Sequence, residues 1–317
     1  KIFHNIYIIM KVKKINNIFN KDGKKKFSNE WKTSKYMFNQ PCLHLISGCR
    51  GSGKSHTLAK IIRSANAEQL YDRIFFITPS FLSNKKLFED LGVDEDDVFL
   101  PEKDAIQEVV EQVELERDDW EQYQAELKLY EKMKSDDNDF NDEELGLMTD
   151  LIIDNQIVKP TWKRDIVRKS QCLLVLDDIL STPAITEGSN INRLFMTNRH
   201  VGQLQEGGSL GLSVIMLVQT YSTSQGHGIG RALRENLTEL TLFQNKQKKQ
   251  VDKMVEEMGG SIDPEKFRET FEYAIQKPHD NLTISFTPKC KTMTFRRNLN
   301  EMLIFDEDLK ECKCKKS

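Results

Sequence analysis

The chain has 317 residues, 38% hydrophobic and 30% charged, which is apolar enough for a packed core and excludes a wholly disordered chain. No apolar run approaches the ~18–20 residues that cross a bilayer, so a membrane-spanning reading is excluded as well. The net charge of −3 is unevenly spread: residues 101–160 hold 19 acidic and 6 basic side chains, whereas residues 1–40 hold ten Lys against Asp22 and Glu30. Bulk charge therefore neither supports nor excludes a DNA partner.

In chain order, residues 1–40 are Lys- and Asn-rich with weak periodicity and read as a basic, flexible leader. At Pro41 the character changes, and residues 41–300 read as one α/β domain. Cys42–Ser47 is a short apolar run with strand character, followed by a Gly-rich turn and helical spacing over Lys54–Ser64. Arg73–Thr78, Cys172–Leu176, Leu212–Val218 and Glu239–Phe243 are further buried-strand candidates. Continuous apolar strands separated by helical stretches predict a mostly parallel central sheet covered on both faces.

An acidic helical insertion over about 101–160 separates the second and third strands. Ile106, Val109, Val113, Trp120, Tyr123, Leu127 and Tyr130 keep 3–4 spacing, broken at Glu116. One long helix is expected from about Asp104 to Lys134, then a polar break and a shorter helix. It reads as a helical hairpin packed on the domain, and the sheet is expected to close without residues 104–150. Further on, Lys246–Met258 and Pro264–Ile275 have helical patterns, Asn281–Phe286 and Thr292–Phe295 alternate like a hairpin, and 301–317 reads as a Lys-rich tail.

Of the six cysteines, only Cys312 and Cys314 form a close pair, and no second pair supplies zinc spacing. Cys42, Cys49 and Cys172 lie in or beside strand-like runs, where reduced cysteine is common, so an intracellular setting is expected.

The segment Gly48-Cys49-Arg50-Gly51-Ser52-Gly53-Lys54-Ser55 satisfies the phosphate-binding pattern G-x-x-x-x-G-K-[ST]. Glycines allow successive backbone N–H groups to face the phosphates, and the following helix presents its positive end to them. Gly48, Gly51, Ser52, Gly53, Lys54, Ser55 and His56 are the expected nucleotide-binding set. Lys54 supplies a charge to the β- and γ-phosphates and Ser55 a ligand for Mg²⁺. The third strand ends in Asp177-Asp178, where a carboxylate holding Mg²⁺ belongs. Asp177 is assigned to the ion, and Asp178 to orienting or deprotonating the attacking water. Many such enzymes carry Glu at the second position, one methylene longer. Leu212–Val218 runs into Gln219, whose amide is expected near the γ-phosphate.

A GTPase, or another P-loop switch that does not act on DNA, is the alternative. Asn245-Lys246-Gln247-Lys248 begins like N-K-x-D, but Lys cannot accept the two guanine N–H donors.

Taken together, GCRGSGKS (48–55), LLVLDD (173–178), NRH (198–200) feeding LSVIMLVQT (212–220), and LREN (233–236) resemble the FtsK–HerA superfamily of P-loop ATPases. More narrowly, they resemble the genome-packaging ATPases of poxviruses and other large double-stranded DNA viruses. The resemblance covers roughly residues 41–243, interrupted by the insertion. It implies a RecA-like fold, ATP and Mg²⁺ as cofactors, and a homo-oligomeric, hexameric ring moving double-stranded DNA into a capsid. A viral capsid or membrane component as partner, and location in the host cytoplasm or virion, follow from the same resemblance. It places the arginine that acts on a neighbouring subunit's nucleotide at Arg199, with Arg231 or Arg234 as alternatives. Candidate DNA-contacting segments are Tyr221–Arg231 and the Lys246–Lys249 cluster.

Overall fold

The computed structural model describes residues 10–14, 33–135, 140–153, 156–187, 190–221, 229–244, 248–258 and 262–311. Cys312 and Cys314, residues 222–228 of the candidate DNA loop, and Asn245–Gln247 lie outside them.

The elements, in chain order, are β1 (Met10–Lys14), β2 (Leu43–Ser47), α1 (Lys54–Ala67), β3 (Arg73–Ile77), α2 (Phe81–Leu91), β4 (Val98–Phe99), α3 (Ala105–Lys134), α4 (Asp142–Leu151), β5 (Ile152–Ile153) and β6 (Gln156–Ile157). They continue with β7 (Cys172–Asp177), α5 (Pro183–Thr186), α6 (Asn190–Thr197), β8 (Leu212–Val218), α7 (Arg231–Glu235), β9 (Glu239–Phe243), α8 (Lys248–Met258), α9 (Pro264–Ala274), β10 (Asn281–Ser285), β11 (Phe295–Arg297), β12 (Glu301–Phe305) and α10 (Asp306–Glu311).

Among the described residues, ten strands form one sheet in the order β1-β12-β11-β10-β9-β2-β8-β7-β3-β4. The run from β9 to β4 is parallel, and β10, β11, β12 and β1 extend it as an antiparallel meander. Burial on both sides explains the uninterrupted apolar strands. Leu45, Phe75, Leu174 and Met216 face a layer built from α3, α6, α8 and α9, while Ile46, Phe76, Val175 and Leu217 face α1 and α2. The expected α/β fold, a parallel P-loop sheet with helices on both faces, is the one adopted.

Three boundaries differ from expectation. Met10–Lys14, read as part of a flexible leader, pairs antiparallel with Glu301–Phe305, read as the start of the tail. Short edge strands need only a partner and carry little pattern of their own. Met37 and Phe38, also placed in the leader, are buried beside α1.

The insertion differs more. Its long helix runs from Ala105 to Lys134, as expected, but it is not separable from the sheet. Ala105, Ile106, Val109 and Val113 lie within the main core beside Phe75, Leu174 and Val214. Glu116, which breaks the apolar rhythm, is 3% exposed. It receives Arg164 at 2.6 Å, Ser170 at 2.7 Å, Lys163 at 3.0 Å and Arg73 at 3.5 Å. Burial pushes its carboxyl up, but bonds from Arg164 and Ser170 and the surrounding positive charge outweigh this and hold it at about 2. Beyond this seam Trp120, Tyr123 and Trp162 pack with ring centroids 5.1–5.8 Å apart. Lys132 clamps Glu144 of α4 at 2.8 and 3.0 Å.

Cys42 and Cys172 are buried free thiols and Cys49 is an exposed one, as expected of cysteines in or beside strands; Cys290 is disulfide-bonded.

Candidate functional site: a phosphate-binding turn

The turn between β2 and α1 sits at the C-terminal edge of the parallel strands. The Gly48 N–H donates to the Val218 carbonyl at 3.1 Å, tying the turn to the end of β8. The Ser52 N–H donates to the Cys49 carbonyl at 3.1 Å. Gly53, the residue before α1, has φ +107°, a left-handed conformation that side chains other than glycine resist. A Cβ on Gly48 would meet Ser52 Oγ at 2.5 Å and Phe243 Cβ at 2.9 Å, so only glycine fits under the turn.

Lys54 Nζ donates to the carbonyls of Gly48 at 2.7 Å and Cys49 at 3.2 Å. Burial lowers its pKa, opposed by the negative charges of Asp177 and Asp178. Asp177 is half-buried at the end of β7. Burial raises its carboxyl above the usual range, Asp178 adds to this, and Lys54 opposes it. Lysine and carboxylate are therefore each partly desolvated, and each favours the other's charged form. Asp178 has φ +56°, a conformation tolerated by Asp that swings the chain away from the strand. The Gln219 side-chain amide donates to Asp178 Oδ1 at 3.2 Å. Lys54, Asp177, Asp178 and Gln219 thus gather around one turn, as their sequence positions imply.

Ser55 and His56 are exposed on the first turn of α1, which carries no acidic residue. Burial, then Lys60, Arg63 and His279, lowers the His56 pKa. Among the described residues no cluster of three or more His, Cys, Asp or Glu forms a metal site. A hydroxyl at Ser55 and a carboxylate at Asp177 are hard oxygen donors. They fit an ion such as Mg²⁺, which keeps waters and takes few protein ligands.

Arg199 is not brought to this group. It lies exposed on the short helical turn Asn198–His200, at the opposite end of β8. There the buried Asn198 amide donates to the Leu212 carbonyl at 3.0 Å. A seven-residue strand separates it from the phosphate edge, about 20 Å, so it cannot serve its own turn. Arg234 is committed elsewhere: its guanidinium takes Glu257 at 2.6 and 2.8 Å and lies 5.2 Å from the Tyr221 ring centroid. Arg231 pairs with Glu235 at 2.7 Å on the surface.

Sequence reasoning missed the residues that flank the turn from the meander. His279 Nδ1 lies 3.2 Å from the Ser52 carbonyl oxygen, across more than 200 residues of chain. The one local signal was Pro278-His279-Asp280-Asn281, a turn-forming run just before β10.

No family model matches the chain, and no curated protein does. Among solved structures, the chain is similar to the genome packaging NTPase B204 from Sulfolobus turreted icosahedral virus 2 in complex with ATP-gammaS. The identity is 12%, over 82% of this chain and 97% of that one, with a TM-score of 0.43. The DNA-packaging ATPase B204 from Sulfolobus turreted icosahedral virus aligns at 13% identity over 82% of this chain and 98% of that one, with a TM-score of 0.41. The cytoplasmic domain of the Thermomonospora curvata type VII secretion ATPase EccC aligns at 14% identity over 83% of this chain and 25% of that one, with a TM-score of 0.37.

Proposed function

We propose that the chain hydrolyses ATP and uses it to move double-stranded DNA into a viral capsid as a ring, hexameric in the reading drawn from sequence resemblance. The observation that carries the ATPase part is the meeting of Lys54, Asp177, Asp178 and Gln219 at a glycine-built turn. The DNA, the ring and the location in host cytoplasm or virion rest on the motif resemblance.

In this reading the backbone N–H groups of the turn and the start of α1 bind the β- and γ-phosphates. Lys54 leaves the Gly48 carbonyl and neutralises the phosphate charge that grows as the terminal bond breaks. A magnesium ion, when bound, would neutralise phosphate oxygens, held by Ser55 and Asp177. Asp178 orients the attacking water and accepts its proton, and Gln219 positions the Asp178 carboxylate through its amide. Arg199 acts on a neighbouring subunit's nucleotide.

The test is turnover of ATP and GTP by the full chain, with and without duplex DNA. ATP hydrolysis stimulated by DNA is expected. Preference for GTP would instead support the switch reading, and no turnover of either would overturn the enzyme assignment.

A further inference from the structure

The phosphate turn has two flanks. β8 and β7 lie on one side of β2 and carry Gln219 and the acidic pair. On the other side come β9 and the antiparallel β10, whose first residue, Asn281, is opposite Phe243, the last residue of β9. The β11–β12 turn, Asn298–Asn300, returns to the same edge. A cleft of about 700 Å³ results, lined by Lys54, His56, Lys60, His279, Asn281 and Asn300 among others.

The meander side of this cleft is tied together by hydrogen bonds. Asp280 receives Arg297 at 2.6 Å, Asn298 at 2.7 Å and the Lys277 N–H at 3.0 Å. The Asn281 N–H donates to Asn298 Oδ1 at 3.0 Å. Asn281 itself is 4% exposed, with its side-chain nitrogen 3.5 Å from Thr57 Oγ1 on α1. Its Oδ1 is buried and has no hydrogen-bond donor among the described residues. A buried amide oxygen without a donor is unfavourable, and Asn281 is one of the residues lining a cleft that opens onto a phosphate site.

We infer that this cleft takes the nucleoside half of the nucleotide, with Asn281 Oδ1 accepting a hydrogen bond from it and His279 docking the loop onto the turn. The inference rests on the nucleotide-binding reading above. The donor is an exocyclic base amino group or a ribose hydroxyl, which share the same chemistry towards an amide oxygen.

Calorimetric titration of the full chain with ADP, IDP, 2′-deoxy-ADP, 3′-deoxy-ADP and pyrophosphate tests it. Wild-type protein is expected to bind ADP more tightly than pyrophosphate. Asn281→Ala should weaken ADP about tenfold and leave pyrophosphate within about twofold, the cost of one buried hydrogen bond. His279→Gly, which keeps the left-handed backbone accessible, should weaken ADP selectively in the same sense. It carries the test if Asn281→Ala does not fold. IDP lacks the amino group and the deoxy analogues lack a hydroxyl; the analogue that binds worse to wild type, but no worse than ADP to Asn281→Ala, identifies the donor. Equal binding of all analogues by wild type, or parallel losses of ADP and pyrophosphate in the variants, would overturn the subsite. Wild-type protein that binds pyrophosphate as tightly as ADP would overturn the subsite alone. Protein that binds neither would overturn the nucleotide reading and the subsite with it.

Discussion

Two acidic regions of this molecule use their carboxylates in opposite ways. At the α3 seam, Glu116 is surrounded by Arg164, Lys163, Arg73 and Ser170, and its carboxyl is held at about 2. At the phosphate edge, Asp177 is pushed up by burial and by its neighbour, and Asp178 is exposed with the Gln219 amide as its hydrogen-bond donor. A carboxylate saturated by cations holds elements together. A carboxylate whose charge is left incompletely compensated beside a lysine is available to bind a ligand and to take a proton. The same contrast separates the arginines: Arg234 is locked on Glu257, and Arg199 is exposed.

The sharpest way to extend this contrast is through Arg199. Arg199→Ala should bind ATP normally and hydrolyse it ~10³–10⁵-fold more slowly, the effect of losing an arginine finger. Mixing it with Lys54→Ala subunits should restore some turnover, since one intact turn then meets one intact Arg199. No recovery in demonstrably mixed assemblies would remove Arg199 from the reaction.

Glu116→Ala should act on stability instead. It leaves Arg164 and Lys163 without their shared partner, and losing one member of a buried pair costs about 3–5 kcal/mol. Chemical denaturation measures this, and a loss below about 1 kcal/mol would mean that α3 is held by its apolar face alone.

Lys54→Ala should reduce turnover by ~10²-fold or more, in line with loss of a transition-state charge contact, with circular dichroism and melting unchanged. A variant that is folded and fully active would dismiss the turn as the reaction site.

Glu116 also sets acid stability. Because Glu116 titrates at about 2 when folded against an ordinary 4.5, its contribution is complete above about 4.5 and is lost as pH falls towards 2. About 3 kcal/mol should disappear over that interval, and Glu116→Gln should remove this part of the pH dependence. Parallel pH profiles for the two proteins would contradict the assignment.

Much of the phosphate edge is legible in the sequence because it is local. The turn follows its strand within one residue run, and Asp177, Asp178 and Gln219 each end an apolar strand. The role of Glu116 was visible only as a flaw in periodicity. Its partners lie about 50 residues later in chain, or in β3, and no spacing rule connects them. Asn281 and His279 escaped for the same reason. An antiparallel meander brings them beside a turn more than 200 positions earlier, and short polar loops do not announce what they face.

The ends of the sheet bear on how copies of this chain can meet. Among the described residues, one outermost strand, β1, is five residues long and its sequence holds three lysines; the other, β4, has two residues and is followed by Leu100 and Pro101. Short, charged or proline-bounded rims resist the backbone pairing through which sheets aggregate. Pairing of two copies through either of these rims is therefore disfavoured, whichever other surfaces bring them together.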